Sequence, residues 1–247
     1  MNELPAECVG RILAFTSLKD VCRLAGVSSM FRSAADSDFV WKNFVPVNYK
    51  EIIITSSASS FCSFLNLLLK KPLYIGTGNT SGLILDKQSE RLSYVIGANE
   101  LKCMDVRGRL EYISHFQSRL SSSPTPEKLF RELAKVEYDC GLAIEGRIEV
   151  KNLNPEAHYS VYMVFGSSSE ESLKYKRFVV LEMEEGKMMR VGESLKQRRR
   201  EDGWFEILMG GFCIRRDNAF IHFFVGEDKY PLTAGCFTIR SIHLRLT

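Results

Sequence analysis

The hydrophobic period of the chain changes once, and that change divides it. Up to Pro46 the apolar residues recur at helical spacing, whereas beyond Pro72 they fall in short runs bounded by Gly, Pro, Asn and Ser. Helix and strand do not alternate regularly, which argues against a parallel sheet and for an antiparallel one. With 247 residues the chain has room for one ordinary domain and a small module. The predicted fold class is therefore α+β: a small all-α unit at residues 1–46, a linker with a short helix at 47–71, and an antiparallel β-sandwich with one or two short helices at 72–247.

The first 46 residues read as four short helices. Pro5 sits where a first turn tolerates proline, with Leu4, Cys8, Val9, Ile12 and Leu13 following at helical spacing. Ser17 with Asp20 three residues on makes an acidic capping box, and Gly26 is placed to end that second helix. Ser28 or Ser29 is expected to cap a third helix bearing Phe31, and Asp38 a last turn bearing Trp41 and Phe44 before Pro46. Such a unit of about 45 residues has little interior of its own. Leu4, Ile12, Leu13, Phe31, Trp41 and Phe44 exceed what it can cover, so the excess is buried either by a partner or by the C-terminal body.

Composition narrows the setting. Hydrophobic content of 45% and charged content of 26% belong to a soluble globular protein, and a net charge of +3 shows no nucleic-acid-binding excess. The seven cysteines contain no CxxC pair and the four histidines are isolated, so neither a disulfide framework nor a metal or other cofactor site is expected. "MNELPAECVG" has acids where a signal peptide carries a basic n-region, and no run approaches the roughly 20 apolar residues that span a bilayer. The expected location is the cytoplasm or nucleus, without membrane or nucleic-acid contact.

"TSSASS" (55–60) is the expected hinge, followed by a packing helix in "FCSFLNLLLKK". In the body, Leu142, Ile144, Ile148 and Val150 share a strand face across Gly146. Phe237 and Ile239 are out of phase with Ile242, Leu244 and Leu246, which predicts a bulge near Arg240 or Ser241. "TPEKLFRELAKV" (125–136) has the cap and periodicity of a helix. "GTGNTSG" (76–82) reads as a hairpin turn, because no Gly-Lys-Ser/Thr follows to make a phosphate loop. Trp204 reads as a packed structural tryptophan, His222 as a packed histidine and "KQRRR" (196–200) as a solvated loop.

Two stretches carry resemblances. "LPAECVGRILAFTSLKDVCRLAGVSSMFRSAADSDFVWKNFVP" resembles an F-box along its whole length. That resemblance implies docking onto the Skp-family adaptor of a cullin–RING ubiquitin ligase, with Leu4, Pro5, Ile12, Leu13, Val27, Phe31 and Trp41 as docking or supporting residues. Phe31 stands where the family often has tryptophan. "REDGWFEILMGGF" (200–212), "IEGRIEVKNLNPEAHYSVYMVF" (144–165) and "LDKQSERLSYVIGANEL" (85–101) are similar to the phloem protein two domain, a lectin-like sandwich of the jelly-roll type found in plants.

The lectins of that family bind N-acetylglucosamine oligomers and N-glycan cores through tryptophans and glutamates. This chain has Asp105 and Tyr112 at two tryptophan positions, Gly141 at a third, and Ala219 and Gly226 at the glutamate positions. Stacking a sugar and accepting hydrogen bonds from its hydroxyls need aromatic faces and carboxylates, and Tyr112 alone remains. Neither a nucleophile elbow nor a catalytic triad can be assembled. The resemblances thus imply a non-catalytic receptor that docks an adaptor through its helical unit and captures a target protein, glycosylated or not, through its sandwich. A carbohydrate-binding receptor for N-acetylglucosamine or N-glycans is the alternative.

Overall fold

The computed structural model describes residues 4–47, 50, 56–75, 80–86, 90–105, 114–117, 132–138, 142–149, 153–155, 157–167, 177–183, 188–191, 197–214, 220–227 and 235–247. Four short helices come first: α1 (Ala6–Ala14), α2 (Leu18–Ala25), α3 (Ser29–Ala35) and α4 (Asp38–Phe44). Ser17 caps α2 as expected, accepting from the Asp20 amide, but its hydroxyl rather than its backbone amide donates to the Asp20 carboxylate, so the cap is formed without the reciprocal backbone bond of a capping box. Ser28, not Ser29, caps α3 by accepting from the Phe31 amide. Two expectations change. Gly26 ends α2 in the right-handed region (φ −79°), so its left-handed freedom is not used. Asp38 opens α4 as its first residue rather than capping it, because Ser37 takes the preceding extended position.

The expected hinge is instead a helix start. Ser60 and Ser63 form a reciprocal capping box for α5 (Phe61–Lys70), Ala58 is buried, and the Phe61 amide donates to Asp36 Oδ1 at 2.7 Å. Serine runs suit caps as well as loops, and tertiary packing selects the cap here. Phe61, Phe64, Leu65 and Leu68 are buried, as expected of a packing helix.

The strands form two antiparallel sheets. The larger, nine-stranded one runs β1 (Leu73–Ile75), β2 (Ser81–Asp86), β3 (Arg91–Gly97), β14 (Gly235–Leu246), β8 (His158–Ser167), β12 (Phe205–Cys213), β11 (Gln197–Arg199), with β6 (Glu132–Tyr138) on β14 and β5 (Ser114–Gln117) on β6. The five-stranded sheet runs β10 (Met188–Val191), β9 (Arg177–Met183), β13 (Phe220–Glu227), β7 (Leu142–Glu149), β4 (Lys102–Asp105). β1 and β2 pair antiparallel, Ile75 opposite Ser81, as a hairpin through this stretch requires; residues 76–79 of the expected turn lie outside the described ones. The phase change in β14 is a register shift between Ile239 and Ser241.

Residues 132–136 are strand, not the end of the predicted helix; residues 125–131 lie outside the described ones. Pairing with β14, Ala134 opposite Ile239, outweighs a helical propensity of a few tenths of a kcal/mol per residue. Within "KQRRR", Gln197–Arg199 is likewise an edge strand, paired to β12; Lys196 lies outside the described residues. The faces of Leu142, Ile144 and Ile148 and the packing of His222 lie outside the described side chains, although the strands β7 and β13 that carry them are formed; Val150 lies outside the described residues.

Strand alternation sorts the large sheet into two faces. One carries Leu83, Tyr94, Ile96, Val161, Met163, Phe165, Ile207, Ile242 and Leu244, in a single apolar cluster with Val9, Leu13, Trp41, Phe61 and Phe64 of the helical unit. The small core is therefore completed from within the chain. Of the two expected ways of covering it, the chain's own residues supply the interior: Trp41 meets Phe61 edge-on at 4.8 Å and Phe64 at 5.2 Å, and is 2% exposed.

Candidate functional site

With the interior complete, what the helical unit leaves outside becomes informative. Helix α1 has two apolar faces. Val9 and Leu13 point inward, while Leu4, Cys8, Ile12 and Phe15, spaced four, four and three residues apart, lie outward. Leu4 is 58%, Ile12 54%, Phe15 90% and Val27 69% exposed, and Phe39, also exposed, lies under the Arg11 guanidinium at 5.3 Å. Unpaired apolar side chains in such a concentration are the mark of a covered surface.

The residues expected to dock therefore separate. Leu4, Pro5, Ile12 and Val27 are exposed and Phe31 is half-buried against the core, whereas Leu13 and Trp41 are sealed inside. Leu13 and Trp41 shape the unit without presenting a surface. Phe15 and Phe39 were not singled out from sequence; the helical spacing of Phe15 from Leu4 and Ile12 was the available signal. Tyr112 lies outside the described residues, as do Gly141 and Ala219; Asp105 is placed in β4 and Gly226 in β13.

The end of α4 is gripped from the sandwich. The Asn154 side-chain amide donates to the carbonyls of Lys42 (3.2 Å) and Val45 (2.6 Å). The Tyr159 hydroxyl donates to the Pro46 carbonyl at 2.9 Å and accepts from the Asn154 backbone amide at 2.8 Å. Helix C-termini leave carbonyls without internal partners, and these two residues satisfy them across the chain. A one-residue bridge, Val47 to Leu153, extends the joint, and the Tyr159 ring stacks on Phe212 at 5.4 Å. Burial pushes the Tyr159 phenol well above its ordinary pKa, so it stays a hydroxyl that donates.

The opposite face of the large sheet buries charge. Arg245 makes a two-pronged contact with Glu206 (3.0 and 2.6 Å), and also reaches Asp86 (3.2 Å) and Ser93 (3.0 Å). Arg200 donates to Glu206 at 3.0 Å and pairs with Asp202 at 3.4 Å, and Arg240 donates to Asp202 at 3.1 Å. The aromatic rings of Tyr162 and Trp204 lie under Arg245 and Arg240 at 4.4 and 5.2 Å. His243 is buried among them with Nε2 on the Ser241 hydroxyl at 2.9 Å; burial, then the three arginines, hold it neutral well below its ordinary range.

This network explains the Arg-x-Asp-Gly-Trp-x-Glu stretch residue by residue. Arg200 and Trp204 close the β11–β12 hairpin (Arg200 amide to Trp204 carbonyl, 2.8 Å), and Gly203 takes φ +86°, which a side chain would strain. Asp202 accepts from the Trp204 amide at 3.2 Å, and Trp204 packs half-buried against Gly166. Trp204 is thus structural, as expected. Arg200, read from sequence as part of a solvated loop, is a buried member of the network.

A model of the phloem protein 2 family matches residues 91–246, and a model described as F-box-like matches residues 1–46. The chain belongs to the phloem protein 2 family. Arabidopsis thaliana PP2-B8 is 32% identical over 237 residues, 86% of this chain and 75% of its own length. Arabidopsis PP2-B12 is 31% identical over 254 residues, 98% and 96% of the two chains, and the Arabidopsis F-box protein SKIP3 is 29% identical over 86% of this chain and 76% of its own. The phloem protein 2 region holds the charge network apart from Asp86, which lies just before it, and the F-box-like region holds the exposed stripe and the carbonyls gripped by Asn154 and Tyr159. Among solved structures, the xylan-binding module CBM15 matches with a TM-score of 0.33 at 17% identity, over 63% of this chain and 97% of its own. A family 22 carbohydrate-binding module of Clostridium thermocellum Xyn10B matches with a TM-score of 0.37 at 11% identity, over 60% and 86%. Likeness at that level carries no statement about ligands.

Proposed function

We propose that this protein is the substrate-recognition subunit of a Skp–cullin–F-box ubiquitin ligase, acting in the cytoplasm or nucleus. The observation that carries this reading is the outward stripe of Leu4, Ile12 and Phe15 with Val27, on a helical unit whose own core is already closed. A surface of that kind stabilises a complex by burying apolar area at about 25 cal/mol per Å². The Skp-family adaptor would cover it and bring the cullin–RING ligase, while the sandwich captures a target protein. The chain contributes no bond chemistry in this scheme. Holding the target beside the charged enzyme raises its effective concentration.

The test is co-purification of the full chain with a Skp-family adaptor, repeated with Leu4, Pro5 and Ile12 replaced together by polar residues. Binding by the native chain and its loss in the triple variant, with unchanged melting, is expected. Native-level binding by the triple variant would sink the assignment of this face. A parallel titration of the full chain with N-acetylglucosamine oligomers identifies the target class. Saturable binding would point to glycoproteins, and silence to protein surfaces.

A further inference from the structure

The geometry points to Asn154 and Tyr159 as positioning residues that lock the sandwich onto the adaptor-binding unit, so that a captured target is presented in one orientation. This inference rests on the receptor reading above. Domains joined through an exposed linker move relative to one another unless the contact between them is large and apolar. Here the two units share one apolar cluster, and three carbonyls at their junction are matched by directed donors. Lys42, Val45 and Pro46 carbonyls, orphaned by the end of α4, receive their hydrogens from residues 109 to 113 positions away.

The lock is specific, not only adhesive. Apolar contact tolerates sliding, whereas three directed hydrogen bonds to three carbonyls at one helix end define a rotation. Asn154 can make its pair because the side-chain amide has two N–H groups, and its own backbone amide is held by Tyr159. Tyr159 in turn sits on β8, flanked by β14 and β12 in the large sheet, with its ring stacked on Phe212. The orientation of α4 is thereby transmitted to the middle of that sheet through one side chain. A target bound on the sandwich would then meet the ubiquitin-charged enzyme at a set distance, which favours some of its lysines over others.

The experiment uses the full chain carrying genetically encoded spin labels at Lys19 on α2 and Glu201 in the β11–β12 turn, both exposed. Dipolar spectroscopy is run with and without the Skp-family adaptor. The native protein is expected to give one narrow distance distribution. Tyr159→Phe, which keeps the ring and its stacking, and Asn154→Ala are each expected to broaden it about twofold or more while the adaptor affinity stays unchanged. A broad or divided distribution in the native protein overturns the inference without reference to any variant. So does an unaltered distribution in both folded variants. Failure of the native protein to bind the adaptor overturns the receptor reading instead, and leaves the distance result to judge the lock by itself.

Discussion

Arg245 and Glu206, 39 positions apart, meet through two hydrogen bonds of 3.0 and 2.6 Å in the interior of the large sheet. Arg200 shares the same carboxylate, and Asp86 shares the same guanidinium. Removing one member of such a group leaves a charge buried without compensation, which is worse than never having buried the pair. Glu206→Gln is expected to destabilise the protein by about 3–5 kcal/mol, because two arginines lose their common anion. Chemical denaturation measures this; a loss under about 1 kcal/mol would mean that water reaches the network and screens it.

The pH dependence follows from His243. The fold holds it neutral, while in the unfolded chain it titrates near 6.5, so the unfolded state binds the extra proton. Stability is therefore full above pH 6.5 and falls as the pH drops from there toward the folded-state pKa. The slope for one proton is about 1.4 kcal/mol per pH unit. Denaturation curves at pH 7.5, 6.0 and 5.0 should show this fall in the native protein and a flatter profile in His243→Asn. Parallel profiles would assign the acid sensitivity elsewhere.

The helical unit separates surface from support. Phe15→Ala is expected to leave the melting temperature unchanged and, under the receptor reading, to weaken adaptor binding by about 1–2 kcal/mol. Trp41→Ala removes the ring packed on Phe61 and Phe64 and is expected to destabilise the unit by about 3–5 kcal/mol. Calorimetry and adaptor titration on the two variants decide this. A Trp41→Ala protein that melts like the native one would show that the core is not shared as described.

The cysteines should differ in reactivity. Burial, then the neighbouring Cys62, pushes the Cys22 thiol up to about 12, whereas Cys8 is exposed. Because the thiolate is the nucleophile, iodoacetamide at pH 8 should modify Cys8 about tenfold or more faster than Cys22. Peptide mapping over time provides the check, and equal rates would contradict the partial burial of Cys22 on α2 beside Cys62 of α5.

Local patterns in the sequence were sufficient at several places where one short stretch carried the signal, although the Ser60–Ser63 box, equally local, reads as a hinge until packing selects it. Ser17 capping α2 through the Asp20 amide, the register shift between Ile239 and Ser241, and the antiparallel pairing of β1 with β2 are of that kind. Motifs too were legible: the F-box-like and phloem protein 2 regions could be recognised from contiguous residues. Reading went astray where the deciding partner was remote. Residues 132–136 have helical periodicity, but their pairing with β14 lies about 100 residues on. Arg200 has its partners Asp202 and Glu206 within six residues, but what makes that group an interior one is Arg245, 39 positions beyond Glu206 and bound to the same carboxylate.

Sequence by itself determined the order of a helical unit and an antiparallel body, the serine caps of α2 and α3, and the family. Only the tertiary structure decided which apolar residues of the first 46 are interior and which are surface. Trp41 and Ile12 look alike as hydrophobic positions in a short helix. The difference is that Phe61 and Phe64 arrive to cover one, and no described residue of the chain buries the other. Asn154 and Tyr159 belong to the same class of fact. Their chemistry is visible in "LNPEAHY", but a donor acquires its role only when a distant carbonyl, left over by a helix end, is brought to it.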